Sequence, residues 1–286
     1  MPVPRGLFML RSPIRAALLA LLLVPARGFA QSLMVASPIV TIDDRTRTGL
    51  VVLINDGIVP MEASISTFYG YPVTDSLGRM YLRTFTDLAD TMPSAAAWVQ
   101  CFPRRLHIEP KSRATVRLLV TPPANLASGE YWARLVVATK GGQISLGGLP
   151  DSSGIEAKLD IEVRSVVGLF YRVGAVKTGV ALANLRSTEQ GDSLVGRVAL
   201  TRQGNAAFVG SIKAQLRDTI GNVRAERLLP LGVYYTLEPR FSLPVAGLPP
   251  GRYALTVEAL SNRPDLPSNL LLSTVPVQTS VEVRLE

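Results

Sequence analysis

The sequence predicts an all-β protein built from two immunoglobulin-like β-sandwich domains in tandem. Short apolar or β-branched runs recur along almost the whole chain, with Gly, Asn, Asp or Pro between them. No segment keeps a hydrophobic period of 3.6, so neither a helical bundle nor an α/β sheet is expected. Three short motifs also recur in the same order in the two halves. Leu53-Ile54-Asn55-Asp56-Gly57 is echoed by Leu200-Thr201-Arg202-Gln203-Gly204, Asp75-Ser76-Leu77-Gly78 by Asp218-Thr219-Ile220-Gly221, and Leu126-Ala127-Ser128-Gly129-Glu130-Tyr131 by Leu248-Pro249-Pro250-Gly251-Arg252-Tyr253. Asp-x-x-Gly suits a type I turn. Gly-x-Tyr ahead of an alternating strand suits the tyrosine corner of a sandwich, where the phenol ties down the chain as it crosses between sheets.

The first thirty residues read as a secretory signal. Arg5, Arg11 and Arg15 precede an apolar run from Ala16 to Val24, and Gly28-Phe29-Ala30 offers small residues for cleavage. That run is too short to span a bilayer, which takes about 20 apolar residues. The mature chain, starting near Gln31, is expected to be exported and without a membrane span. Four of the 30 basic residues lie in the signal, leaving 26 against 22 acids, a net of +4 rather than +8. Only five of these cations are lysines, and they are scattered, so no nucleic-acid groove is indicated.

Strands are expected at Pro38–Ile42, Leu50–Ile54, Met61–Phe68, Ala114–Val120, Tyr131–Thr139, Ile155–Leu169, Leu194–Leu200, Phe208–Leu216, Tyr253–Leu260 and Val275–Leu285. Asp43-Asp44, followed by Arg45 to Gly49, reads as a charged turn between the first two of them. The stretch Gly141 to Gly154 reads as a loop. After it comes the longest alternation in the chain. Ile155, Ala157, Leu159, Ile161, Val163, Ser165, Val167 and Leu169 hold the odd positions, while Glu156, Lys158, Asp160, Glu162 and Arg164 fill the even ones. Fifteen residues of period two exceed the roughly 3–10 of an ordinary strand. A strand longer than its own sandwich needs has an aliphatic row to offer another chain. The domains are expected at 31–171, ending in this strand, and 172–286.

Nothing in the sequence assembles an active site. Cys101 and His107 are the only cysteine and the only histidine, and Asp87 and Asp90 lack the further oxygens of a calcium loop. The glycines form no phosphate-binding pattern. A binding protein without cofactor or metal, rather than an enzyme, is the expectation.

Three stretches carry a family resemblance: Asn55-Asp56 followed by Pro60; Ile108-Glu109-Pro110 with Val116-Arg117-Leu118 beyond; and Leu169-Phe170-Tyr171-Arg172 with Lys177 beyond. In that order, behind a signal peptide, they resemble the PapD-like periplasmic chaperones of pilus assembly. The resemblance implies that the long strand lends alternate aliphatic side chains to an incomplete fibre subunit by donor-strand complementation, a form of β-augmentation. The donor residues would be Ile155, Leu159, Ile161, Val163 and Val167. It also implies an interdomain ion pair between Glu130 and Arg172, a secreted pilin-type subunit as client, and an outer-membrane usher as further partner. Two departures stand out. The family's carboxylate-anchoring cations fall at Pro38 and Gly168, and Val173 replaces the proline of the junction motif. Without the resemblance the long strand pairs inside its own sandwich, as in a non-catalytic structural or adhesive exported two-domain protein. An exposed edge also invites self-association. The test between these is whether the aliphatic row faces its own core along its whole length.

Overall fold

The computed structural model describes residues 33–89, 91–146 and 157–286; for 141–146 and 157–161 it describes the backbone alone. The signal sequence expected at 1–30, the residues Asp90 and Ile155, and most of the expected loop therefore lie outside the described residues. In the first half the strands are β1 (Leu33–Val35), β2 (Ile39–Asp43), β3 (Thr48–Asn55), β4 (Met61–Thr74), β5 (Met80–Phe85), β6 (Val99–Phe102), β7 (Arg105–Ile108), β8 (Ser112–Val120), β9 (Gly129–Leu146) and β10 (Ala157–Val173). In the second half they are β11 (Thr178–Gln190), β12 (Ser193–Gly204), β13 (Phe208–Arg217), β14 (Val223–Val233), β15 (Thr236–Leu237), β16 (Arg240–Pro244), β17 (Gly251–Leu260) and β18 (Val277–Leu285).

Each half is a sandwich of two sheets. The first packs β1-β3-β8-β6 against β2-β10-β9-β4-β5, with β7 also on β4; the second packs β11-β12-β15, with β16 also on β12, against β14-β13-β17-β18. Period-two alternation drives both. In β8, Val116, Leu118 and Val120 are buried while Arg113, Thr115, Arg117 and Leu119 face out, and in β4 Met61, Ala63 and Ile65 alternate with exposed Glu62, Ser64 and Ser66. The first core gathers Ile42, Leu53, Val116, Leu135 and Leu169, the second Leu200, Phe208, Leu216, Leu255 and Val257.

Two of the three repeated motifs fold alike. In both Asp-x-x-Gly turns the glycine N–H donates 3.0 Å to the aspartate carbonyl, and the glycine takes a positive φ, +77° at Gly78 and +89° at Gly221. Asp75 Oδ1 accepts from the N–H groups of Leu77 and Arg79, and Asp218 Oδ1 from those of Ile220 and Asn222. Arg79 and Arg224 close the two turns by donating to Oδ2 at 2.9 and 2.8 Å. The Tyr131 and Tyr253 hydroxyls donate to the carbonyls of Ala127 and Pro249 at 3.0 and 2.8 Å, so each half has its tyrosine corner.

Each of the ten expected segments contains a strand, and two expectations need correction. The first six residues of the expected loop are strand: β9 runs on to Leu146, and Gly141 and Gly142 together oppose Ile161, an extra residue that glycine accommodates without a side-chain clash. The long strand extends four residues past Leu169. The Asp43-Asp44 turn lies where expected, between the strands at 39–43 and 48–55, which are β2 and β3 because the short strand β1 precedes them.

Candidate partner-binding edge at the domain junction

β9 and β10 form one long antiparallel hairpin, with Ala157 opposite Leu146 and Val173 opposite Gly129. The outer side of β10 is covered along part of its length only. β2 pairs with it in parallel from Gly168 to Arg172, starting at Ile39, and no described strand flanks residues 157–167. Backbone polar groups alternate sides along a strand, and the Gly168 N–H points outward to the Pro38 carbonyl at 3.1 Å. The N–H and C=O groups of Lys158, Asp160, Glu162, Arg164 and Val166 therefore face the unoccupied side.

The aliphatic row changes environment at the point where β2 begins. Val167, Leu169 and Tyr171 are at most 1% exposed in the first core, whereas Val163, on the same face two alternations earlier, is 53% exposed. Its cross-strand neighbour Thr139 is buried, so the exposure comes from the missing outer strand. This corrects the expected set. Val167 is used by its own core and has no surface to lend, Val163 is open, Leu159 and Ile161 have their backbones in β10, and Ile155 lies outside the described residues.

The other face of the hairpin meets the second sandwich. Glu130 Oε2 accepts from Arg172 Nε at 2.8 Å, and Oε1 accepts from Trp132 Nε1 at 2.9 Å and from the Ala207 N–H at 3.0 Å. The Glu130 side chain is 2% exposed and that of Arg172 19%. A buried carboxylate with three donors, one from the second sandwich, satisfies its charge where water does not reach. Beside it Asn205 donates to the carbonyls of Ser128 and Ala175, each at 3.0 Å, and accepts from the Lys177 N–H at 2.8 Å.

An aromatic cluster fills the rest of the junction. Tyr234 stacks 5.7 Å from Tyr71, meets Trp132 edge-on at 4.8 Å, and lies under the Arg134 guanidinium at 5.0 Å. Burial pushes the phenols of Tyr69 and Tyr234 above the usual tyrosine range, so both stay neutral. The tip of the β4–β5 hairpin adds polar contacts: the Gly78 carbonyl accepts from the Arg240 N–H at 2.8 Å, and the Ser76 carbonyl from Arg197 Nη1 at 2.9 Å. The two sandwiches are thus locked by charge, aromatic packing and backbone bonds. Of these residues the sequence singled out Glu130 and Arg172; Trp132, Arg134, Asn205 and Tyr234 carry no motif that separates them from ordinary sandwich residues.

Pro38 and Gly168 lie side by side where β2 meets β10. A Cβ on Gly168 would come 3.0 Å from Arg134 Nη1, so the cation nearest this spot belongs to β9. Elsewhere, Cys101 is buried, and His107 is exposed and 3.7 Å from Glu109. No group of three His, Cys, Asp or Glu side chains among the described residues is placed to hold a metal. No helix among them is long and apolar enough to cross a membrane.

These features define a class: a two-domain β-sandwich protein with a locked junction and one long strand that is half unpaired. No family model matches the chain, and no curated protein matches it in sequence. Among solved structures it is similar to the CupB2 chaperone of Pseudomonas aeruginosa, with 12% identity over 86% of this chain and 98% of that one and a TM-score of 0.41. It is also similar to the Salmonella enterica SafA pilin in complex with the SafB chaperone, at 13% identity, 88% and 97% coverage and a TM-score of 0.41. A third is the CsuC-CsuE chaperone and tip adhesion subunit complex from the archaic chaperone-usher Csu pili of Acinetobacter baumannii, at 13% identity, 88% and 97% coverage and a TM-score of 0.43.

Proposed function

We propose that the protein is a periplasmic chaperone for the assembly of pilus or related surface-fibre subunits, holding its client by adding β10 to the client's incomplete sheet. The observation that carries this reading is the half-covered strand: the aliphatic row is core at Val167 and open at Val163, beside a backbone edge with no partner. A strand that only closed its own sandwich would bury the row throughout, so the structural or adhesive alternative leaves Val163 unexplained. A client strand laid along residues 157–167 gains ladder bonds to the outward backbone groups, and Ile155, Leu159, Ile161 and Val163 become its apolar knobs. Fully burying one such side chain is worth about 1.5–3 kcal/mol, reduced by the cost of fixing both chains.

On this reading Met1 to Ala30 is the export signal, the domains are 31–171 and 172–286, and the Glu130–Arg172 pair holds the angle between them. An outer-membrane usher is the further partner that receives the loaded client. The client's terminal carboxylate, arriving where β2 meets β10, meets Arg134 in place of a cation at 38 or 168. The test is co-expression in the periplasm with pilin-type subunits encoded beside the gene. The wild type should co-purify with a subunit, and Leu159→Asp and Val163→Asp should lose it while melting like the wild type. Unchanged capture by both variants, or no subunit held by the wild type, refutes the proposal.

A further inference from the structure

The outward face of the β1-β3-β8-β6 sheet departs from what an antiparallel sheet shows to water. Such a face is normally polar, and the outward face of β13 and β17 in the second sandwich is, with Lys213 paired to Glu258 and Gln215 beside Thr256. On the first sandwich, Leu50 is 60%, Met34 52%, Phe102 51% and Leu119 37% exposed, each on a different strand. Exposed apolar side chains gathered on one face mark an interaction surface. By the usual strand spacings it measures roughly 15 by 20 Å.

Cations stand within the patch. Arg117 lies between Leu50 and Phe102 in the cross-strand register, and Arg113 lies beside Ile54, which in turn neighbours Met34. Both arginines are exposed, and among the described residues neither has a carboxylate within ion-pair distance. The outward positions of the four strands hold no acidic side chain.

We propose that this face docks the protein on an anionic phospholipid surface. Exposed Leu, Met and Phe side chains enter the headgroup–acyl boundary, while the guanidinium groups between them meet the lipid phosphates. The patch suits this because it is spread over four strands, mixes its cations into the apolar area and has no acid to repel the phosphates. It lies on the opposite sheet from β10, so membrane docking leaves the strand edge free. The inference stands independently of the chaperone reading.

The test is flotation of the purified mature protein with vesicles of phosphatidylglycerol and phosphatidylethanolamine, against vesicles of phosphatidylcholine alone. The protein should float with the anionic vesicles only, and less as salt is raised. Each arginine near the surface contributes enough that Arg113→Glu with Arg117→Glu should lower the partition coefficient about tenfold or more. Leu50→Asp with Phe102→Asp, at positions more than half exposed, should do the same with unchanged melting. If one pair fails to fold, the other still decides. Absence of flotation with anionic vesicles, or equal partition of wild type and folded variants, overturns the proposal. So does finding that these substitutions block association with another protein while the wild type stays off the vesicles.

Discussion

Replacing Glu130 with alanine tests the junction most directly, because one carboxylate there serves three donors from three parts of the chain. Glu130→Ala leaves Arg172, the Trp132 indole and the Ala207 N–H without their acceptor, in a space that is 2% exposed at the carboxylate. Removing one partner of a buried ion pair costs about 3–5 kcal/mol, since the other charge stays behind. For a protein of this size each kcal/mol moves the melting temperature by about 2–4 °C, so Tm should fall by about 6–20 °C. Glu130→Gln keeps the volume and one acceptor oxygen, and should lose less. The assay is urea unfolding with calorimetry on wild type and both variants. A loss below about 1 kcal/mol for Glu130→Ala would mean that solvent or the aromatic cluster holds the junction, and the argument from three donors would fail.

Other predictions address the two halves separately. Tyr131→Phe and Tyr253→Phe each delete one corner hydrogen bond and should each cost about 0.5–1.5 kcal/mol in urea unfolding; no loss at either would deny that the corners are equivalent. Val163→Asp should leave stability within about 0.5 kcal/mol, since an exposed site carries little packing, and a large drop in Tm would place Val163 in the core. The carboxyls of Asp75 and Asp218 sit below the ordinary value of 3.8. At Asp75 the main cause is the Arg79 N–H; at Asp218, desolvation pushes upward but is outweighed by the Asn222 N–H and Arg224. Lowered folded values stabilise above the unfolded pKa, and this is lost as pH falls through the folded one. Stability should therefore fall below about pH 4, less steeply in Asp75→Asn with Asp218→Asn; identical acid limbs would contradict this.

How far the fold was legible depended on what each strand buries. β8 and β13 alternate cleanly because one face is core and the other wet, and both were found. β11 and β14 were missed. They are edge strands, with a mixed sequence in which Asn184 at a positive φ interrupts β11 and Pro230 sits in β14, where a lost ladder donor is tolerated. The Glu130–Arg172 pair was legible through the family resemblance, in which the stretch Leu169-Phe170-Tyr171-Arg172 placed Arg172 and implied Glu130 as its acidic partner. The Tyr234 cluster was not, since its members lie on separate strands and their meeting follows from the packing of one sandwich on another. Val167 shows the limit from the other side. Alternation assigns it to the aliphatic row, but where β2 begins to cover that row is a tertiary fact.

That coverage boundary can be read amide by amide. Along β10 the odd-numbered residues direct their backbone groups to β9, as the bond from Thr139 Oγ1 to the Val163 carbonyl at 3.2 Å indicates, and the even-numbered ones point away. Beyond Gly168 the even side is occupied by β2; before it, no described strand is present. Hydrogen exchange should therefore alternate over 162–167, fast at Glu162, Arg164 and Val166 and slow at Val163, Ser165 and Val167, and become uniformly slow at 168–172. Fraying of the hairpin would instead speed every amide toward its tip, and pairing of two copies through the edge would protect the even amides in a concentration-dependent way. The alternating pattern requires a strand that is folded on one side and open on the other. Such an edge is already in the extended conformation a partner strand needs, so it binds without first paying to order itself. The locked junction serves the same end, since Arg172 and Phe170, which anchor β10 to the second sandwich, lie at most ten residues from the open edge at Glu162.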